Sequence, residues 1–151
     1  MNTLEKIIHQ AQSKKKTIVL AEGDDIRIIK AAVRATNDGI ANCILVGNEA
    51  AIKQVAASEQ LSLNAIRIED PLTSSQADLY AQTLLSLRKK KGMKLNVARK
   101  LVKDPLHFAD LMLQVGEADG SIAGARYSTG DRVRSALQII GVELGFKAVS
   151  S

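Results

Sequence analysis

The chain has 151 residues, of which 46% are hydrophobic and 25% charged, an ordinary composition for one globular domain that buries about 70% of its unfolded surface. Aromatic residues make up only 3%, which disfavours nucleic-acid modules that stack bases on aromatic side chains. Residues 1–85 carry nine basic and ten acidic side chains, whereas residues 86–151 carry twelve and six, so the net charge of +5 comes from the second part. A basic second part is compatible with nucleic acid, anionic lipid or a phosphorylated small molecule, and equally with a solvated surface.

The cysteine count and the N-terminal segment bear on whether the protein is found in a reducing compartment. Cys43 is the only cysteine and lies in the apolar run NCILVG, which predicts a buried, inert thiol, no internal disulfide and a reducing environment. Acidic and polar residues interrupt the first 16 residues, so no signal peptide is expected, and no segment has the apolar length that crosses a membrane. We expect a cytoplasmic protein.

The first half alternates between helical and strand patterns. The predicted elements are a helix over residues 4–13, a strand over 17–23, a helix running to about 38, a strand over 42–47, a helix running to about 58 and a strand over 65–70. The expected N-caps are Thr3, Asp24 or Asp25, and Asn48, and Gly39 is the expected stop after the second helix.

The second half adds four helical patterns and two strand patterns. They are a helix over 76–91 closed by Gly92, a helix over 96–102, a helix opened by Asp104 and Pro105, a strand beginning at 120, a helix with Val133, Ala136, Leu137 and Ile140 facing inward, and the start of a strand at 146–151. Strands that alternate with helices in this way predict an α/β fold with a parallel sheet. Because the chain stops on what resembles the start of a strand, we expect an incomplete domain.

A candidate anion site lies where the fourth strand meets the last helix. Ligands of open parallel sheets bind at the carboxyl ends of the strands, and helix N-termini favour anions. There the segment GARYSTGD supplies Ser128, Thr129 and Gly130, and Arg134 follows one turn into the helix as a possible bidentate clamp. Asp131 in the first turn equally fits a simple capped surface helix, and spacing alone does not separate the two interpretations.

Other candidate groups have weaker support. Arg88 is the most plausible phosphate contact within the basic segment LRKKKG, although cations also suit a helix C-terminus for electrostatic reasons. His9 is expected to be structural, and His107 has no evident partner. The sequence has no HExxH motif, cysteine pair or histidine cluster with carboxylates, so no metal site is expected, and no Ser-His-Asp triad can be argued.

Four segments, read in order, carry a family resemblance. VLAEGDDIRIIKAA, ILVGNEAAIK, LRKKKG and ADGSIAGARYSTGDRVRSALQII resemble the N-terminal half of the phosphate acetyl/butyryl transferase family, over essentially the whole chain. The resemblance implies a three-layer α-β-α fold with a mainly parallel sheet, similar to isocitrate and isopropylmalate dehydrogenases and incomplete here. It also implies that residues 1–151 form the N-terminal domain of a two-domain acyltransferase whose second domain and C-terminal segment are absent.

The resemblance further implies an activity and site residues. Family members interconvert acetyl phosphate plus coenzyme A with acetyl-CoA plus phosphate, using coenzyme A as a substrate and no cofactor or catalytic metal. Ser128, Thr129 and Arg134 would hold the phosphate, with Gly130 in the same loop, and Arg88 would contact coenzyme A or phosphate. The catalytic general base, an Asp, would lie in the C-terminal half. The complete enzyme would be a homodimer without nucleic-acid or membrane partners, and residues 1–151 alone would bind phosphate or coenzyme A weakly without turnover.

Five positions differ from the usual family pattern. Ala21 stands where Pro is common, Tyr127 where His is usual, and Gly130 where Ala is frequent. Arg132 replaces a small residue such as Thr, and Ser135 replaces Pro. Because Tyr127 and Arg132 flank the anion loop, substrate preference is open between acetyl phosphate and butyryl phosphate. A non-catalytic anion-binding or regulatory module is the alternative from another class, and nucleic-acid binding is the least supported.

Overall fold

The computed structural model describes residues 1–141, which form four strands and seven α-helices. The strands are β1 (Lys16–Leu20), β2 (Ala41–Val46), β3 (Arg67–Glu69) and β4 (Gly120–Ile122). The helices are α1 (Thr3–Ser13), α2 (Ile26–Asn37), α3 (Glu49–Ser58), α4 (Ala77–Arg88), α5 (Leu95–Val102), α6 (Pro105–Gln114) and α7 (Thr129–Ile139), and a 3₁₀ turn (Lys89–Lys91) extends α4.

The four strands form one parallel sheet in the order β3-β2-β1-β4. In the register of the central pairs, Val19 of β1 lies beside Ile44 of β2 on one side and Ser121 of β4 on the other. Parallel pairing requires a crossover between consecutive strands, and the helices provide those connections. The parallel α/β architecture expected from the alternating pattern is therefore confirmed for residues 1–141.

Helices cover both faces of the sheet, and strand side chains alternate between them. Val19 and Ile44 face a core formed with residues of α4, α5, α6 and α7, where Tyr80 and Phe108 stack edge to face with ring centroids 4.9 Å apart. Leu20 faces the other core, which α2 and α3 complete. This arrangement gives the three layers that the family resemblance implies.

Most helix ends follow the predicted capping residues, and one cap differs. Asp25, Asn48 and Asp104 each accept a backbone N–H at the start of α2, α3 and α6. At α1 the cap is Asn2 rather than Thr3, because the Asn2 side chain accepts the N–H of Glu5 while the Glu5 carboxylate accepts the N–H of Asn2.

The predicted inward face of α7 is wrong. The helix buries Ser135 and Ile139, whereas Leu137 is 41% exposed and Ile140 is 45% exposed. Ser135 can be buried because its hydroxyl donates a 2.6 Å hydrogen bond to the buried carboxylate of Asp110 on α6. Ile139, the other buried residue of α7, packs in the same core. The strand predicted at 146–151 lies outside the described residues.

Candidate anion-binding site

The carboxyl ends of β1 and β4 meet at the point where the strand order reverses. Successive strands β1, β2 and β3 extend in one direction, and β4 returns to the free side of β1. In open parallel sheets this reversal opens a crevice between the loops that leave the two strands. The two loops here are 21–25 after β1 and 123–128 after β4, and we call the second one the α7 loop.

Glu22 connects these two loops. Its side chain is buried, with 1% of the residue exposed, and its carboxylate accepts backbone N–H groups from four successive residues of the α7 loop. The N–H of Gly124 lies 2.7 Å from Oε1, and that of Tyr127 lies 3.0 Å from Oε2. Burial on its own would raise the pKa of Glu22, but the four N–H donors outweigh it and lower the pKa. The carboxylate is therefore ionised and fully engaged at neutral pH.

A polar chain holds the other side of the α7 loop. The Tyr127 hydroxyl donates to Asp104 Oδ1 at 2.9 Å, Asp104 Oδ2 lies 2.7 Å from His107 Nδ1, and His107 Nε2 lies 3.2 Å from Gln138 Oε1. Burial works against the charged forms of His107 and Asp104, but their mutual hydrogen bond prevails, so the pKa of His107 is raised and that of Asp104 is lowered. Burial and the neighbouring carboxylate raise the pKa of Tyr127. The expectation that His107 has no partner is therefore wrong.

The start of α7 presents small residues with backbone donors. The Ser128 hydroxyl caps the helix by accepting the N–H of Asp131 at 3.1 Å. Thr129 and Gly130 are exposed, and within residues 1–141 no acceptor contacts their backbone N–H groups. Free N–H groups at a helix N-terminus favour an anion. The three predicted loop residues are thus brought together at one helix end.

The arginines near this helix end differ in how they are held. Arg134 is exposed and pairs with Asp131 at 3.3 Å, a surface ion pair of the kind that contributes little stability. Arg132 is more buried and donates to Thr129 Oγ1 at 3.0 Å and to the carbonyl of Ala123 at 3.4 Å. Arg134 is therefore the arginine that can turn toward a ligand at low cost, while Arg132 stiffens the join between loop and helix.

Arg88 lies in a different place from the helix end. It lines a pocket of about 450 Å³ with Lys91, Gly92, Met93, Lys94, Val97 and Gln138, which we call the basic pocket. Gln138 is on α7, nine residues after Thr129, which corresponds to about 14 Å along the helix. The structure thus separates Arg88 from Ser128 and Thr129.

One face of α7 nevertheless joins the two places. Gly130, Arg134 and Gln138 are spaced four residues apart, so they lie along a single helix face. Arg134 stands midway between the free N–H groups of the helix start and the basic pocket that Gln138 lines. A ligand lying along this face would have an anion-binding group at one end and basic side chains at the other.

A further pocket of about 300 Å³ opens beside the ends of β1, β2 and β3. Its charged lining consists of Asp24, Asp70, Lys103 and Arg126. Arg126 contacts the Asp24 carboxylate and lies 3.9 Å from Asp25. That Arg126 lies outside the phosphate contacts stays a prediction.

Sequence reasoning missed the residues that hold the site from beneath. Glu22 stood in the acidic segment AEGDD, and Asp104 had been recognised only as a helix cap. One sequence signal could have singled out Glu22: it is an acidic residue that lies between a buried strand and a glycine. At that position its side chain lies beside the ends of the neighbouring strands.

In the part of the chain from residue 1 to 141, no group of three metal-ligating side chains comes together. No helix within that part has the length and hydropathy to cross a bilayer.

Comparison with known sequences identifies the family. The family model described as Phosphate acetyl/butaryl transferase matches residues 2–151. Phosphate acetyltransferase from Acetivibrio thermocellus is 48% identical over 151 residues, and the match covers all of this chain and 45% of that protein. Phosphate acetyltransferase from Escherichia coli is 42% identical over 142 residues, covering 93% of this chain and 20% of that protein.

Solved structures agree with the sequence comparison. The EutD phosphotransacetylase from Staphylococcus aureus superposes with a TM-score of 0.88 at 29% identity, and the match covers 98% of this chain and 46% of that one. A phosphotransacetylase from Streptococcus pyogenes gives a TM-score of 0.91 at 28% identity, with the same coverage. The chain therefore spans about half the length of these solved structures and of the A. thermocellus relative. On this evidence the chain belongs to the phosphate acetyl/butaryl transferase family.

Proposed function

We propose that this chain supplies the phosphate-binding part of a cytoplasmic phosphate acetyltransferase, which interconverts acetyl phosphate plus coenzyme A with acetyl-CoA plus phosphate. The observation that carries the proposal is the face of α7 that starts at the free N–H groups of Thr129 and Gly130 and passes Arg134 on its way to the basic pocket. Family membership supports this choice of reaction, because the similar proteins from A. thermocellus and E. coli are named phosphate acetyltransferases.

Each side chain then has a distinct task. The Ser128 and Thr129 hydroxyls and the N-terminus of α7 bind the phosphoryl oxygens, and Arg134 leaves Asp131 to form a charge-assisted contact with them. Arg88, together with Lys91 and Lys94 of the basic pocket, binds the phosphate groups of coenzyme A. Coenzyme A is a substrate, and the reaction uses no cofactor or metal.

The chemical step is an acyl transfer. A general base removes the thiol proton of coenzyme A, the thiolate sulfur attacks the acetyl carbonyl carbon, and the bond from that carbon to the phosphate oxygen breaks. Phosphate leaves with the bonding electron pair, and Arg134 and the helix N-terminus stabilise the charge that it gains. By family resemblance the base is a carboxylate outside these 151 residues, in a second domain that closes the cleft, and the complete protein is a homodimer.

Paired arginine variants of the full-length protein test the proposal. Arg134→Ala should lower kcat/KM by roughly a hundredfold or more, since it removes a donor aimed at developing charge. Arg126→Ala is the matched control, because the Arg126 side chain contacts Asp24 after β1; it should retain activity within a few-fold. Equal losses in the two variants would contradict the proposed site.

The acyl group is decided by a second measurement on the same protein. Tyr127 and Arg132 differ from the usual family residues; the Tyr127 hydroxyl contacts Asp104, and Arg132 contacts Thr129. The acetyl substrate is proposed because the similar proteins are named phosphate acetyltransferases. A higher kcat/KM for butyryl phosphate than for acetyl phosphate would replace this conclusion with the butyryl alternative, and no transfer of either group would favour a regulatory module.

A further inference from the structure

Glu22 fills a site that is built like an anion-binding site. Four successive backbone N–H groups, from Gly124 to Tyr127, converge on its carboxylate, although these residues are 102 to 105 positions away in the chain. Converging N–H groups of this kind form a concave nest that in many proteins binds a phosphate or another anion. Here the protein's own carboxylate occupies the nest, so these four donors are not available to a substrate.

We infer that Glu22 is a positioning residue for phosphate binding: its carboxylate fixes the α7 loop and thereby sets the place of Ser128 and of the first N–H groups of α7. This inference rests on the proposed function of that helix end. The fourth donor, the N–H of Tyr127, belongs to the residue immediately before Ser128. A loop released from Glu22 would therefore shift the helix cap and the phosphate donors directly.

The other anchors of the loop cannot replace Glu22, because the Tyr127–Asp104 bond holds a side chain and not the backbone N–H groups, and the remaining anchors are exposed. On the exposed side, the Arg27 guanidinium donates to the carbonyl of Ala125 at 3.0 Å, and Arg126 contacts Asp24. These are long, solvated side chains, with 65% of Arg27 and 52% of Arg126 exposed, so they restrain the backbone weakly. Glu22 alone bonds four consecutive residues from a buried position.

The negative charge of Glu22 matters as well as its size. A carboxylate can accept four N–H bonds because both oxygens are acceptors only. In Glu22→Gln, the side chain has nearly the same shape, but its NH₂ group is a donor facing two backbone donors. Two of the four N–H groups would lose their acceptor, and the loop would move to satisfy them with water.

The test uses the full-length protein with Glu22→Gln and the matched control Glu49→Gln. Glu49 is an exposed glutamate that pairs only with Lys53 among the described residues, and its substitution should leave both KM values unchanged. In Glu22→Gln, KM for inorganic phosphate should rise about tenfold to a hundredfold, the loss expected when a positioned group moves by about 1 Å. KM for coenzyme A should change less than about twofold, since the basic pocket lies about 14 Å along α7.

A merely structural role would give a different result. If Glu22 only stabilises the fold, Glu22→Gln should melt at a lower temperature but keep both KM values below its Tm, and that result would overturn the inference. Equal increases in the two KM values would overturn it as well. If Glu22→Gln does not fold, Glu22→Asp decides, because it keeps the charge and reaches fewer N–H groups; an unchanged KM for phosphate in that variant would reject the inference.

Arg134→Ala, measured in parallel, separates this inference from the proposed function. If Arg134→Ala raises KM for phosphate and Glu22→Gln does not, the phosphate site stands and the positioning role of Glu22 fails. If neither variant affects phosphate, the site itself is elsewhere and both statements fail. Amide hydrogen exchange of residues 124–127 gives an independent readout, and it should become faster in Glu22→Gln and not in Glu49→Gln.

Discussion

The α7 loop and the basic pocket both have polar groups suited to a phosphorylated ligand, but they hold these groups in opposite ways. In the loop, nearly every polar group already has a hydrogen-bond partner within the protein: Glu22 accepts from the backbone, and Asp104 accepts from the Tyr127 hydroxyl. In the basic pocket, no carboxylate of residues 1–141 lies within 4 Å of a charged nitrogen of Arg88, Lys91 or Lys94. The loop is fixed in advance, whereas within residues 1–141 the positive charge of the pocket has no carboxylate partner.

The difference separates two contributions to binding. A preorganised loop loses little conformational entropy when its ligand arrives, so it can provide precise geometry for the reacting group. Unpaired cations on flexible side chains attract an anion over a longer range and tolerate varied geometry, and salt screens them. We therefore expect substitutions in the loop region to change stability and chemistry together, and substitutions in the pocket to change binding alone.

On the pocket side of this comparison, a substitution should change binding without changing stability. Arg88→Ala should raise KM for coenzyme A about tenfold, since a charge-assisted contact is worth about 1.5–3 kcal/mol and the remaining lysines compensate in part. The free energy of unfolding should change by less than about 0.5 kcal/mol, because Arg88 forms no ion pair with the described residues. Steady-state kinetics and chemical denaturation measure the two quantities. Lys90→Ala, a nearby exposed cation outside the pocket lining, is the control.

A smaller effect is expected from the loop side. Tyr127→Phe removes the hydroxyl that donates to Asp104, and it should reduce the free energy of unfolding by about 1 kcal/mol. Unlike Arg88→Ala, it should leave KM for coenzyme A near the unmodified value. Urea denaturation of the full-length protein provides the measurement. Tyr80→Phe is the comparison variant, because it removes a tyrosine hydroxyl that donates to a different carboxylate, that of Glu117. A variant as stable as the unmodified protein would show that the hydroxyl is dispensable.

The smallest effect is a pH dependence. Burial alone would lower the pKa of His107, but its hydrogen bond to Asp104 raises the pKa in the folded protein above the ordinary histidine value, so protonated His107 stabilises the fold. This contribution is complete below the unfolded pKa of about 6.5 and is lost as pH rises through the higher folded value. The Tm of the unmodified protein should therefore fall more between neutral and mildly alkaline pH than the Tm of His107→Gln. Parallel Tm curves would contradict the assignment of the charge to His107.

Local signals in the sequence were enough to predict the parallel α/β architecture and most helix starts, whereas the three layers were implied by the family resemblance. Strand periodicity places Val19 and Leu20 on opposite faces, and residues such as Asp25 and Ser128 cap helices because their side chains accept N–H groups a few positions away. Each of these relations spans only a few residues. The place of Ser128, Thr129 and Gly130 at a helix start follows from the same local rule, while their part in phosphate binding stays a prediction.

Interactions between distant residues could not be predicted in this way. The residues near Glu22 in the chain do not show that its hydrogen-bond donors are residues 124–127. Likewise, the residues near Ser135 do not show that its acceptor is Asp110 on the facing helix. The inward face of α7 differs from the prediction for this reason. The prediction selects the apolar stripe, whereas burial of Ser135 depends on its hydrogen bond to the distant carboxylate of Asp110. The resemblance assigned Arg88 and the anion loop to the same ligand. Only the structure shows that Arg88 lines the pocket beside Gln138, at the other end of α7 from Thr129.

The position of β4 has a consequence for the order in which the protein forms. β1 pairs on one side with β2, only about 25 residues later, but its other side waits for β4 at Gly120–Ile122. At a synthesis rate of about 5–20 residues per second, the ribosome takes roughly 5–20 s to add the intervening hundred residues. During that time β1 is an open strand edge, and the negative charge of Glu22 stands beside it without its N–H partners. Because charges at a strand edge disfavour pairing with another chain, we expect Glu22 to reduce association of the unfinished sheet with another nascent chain.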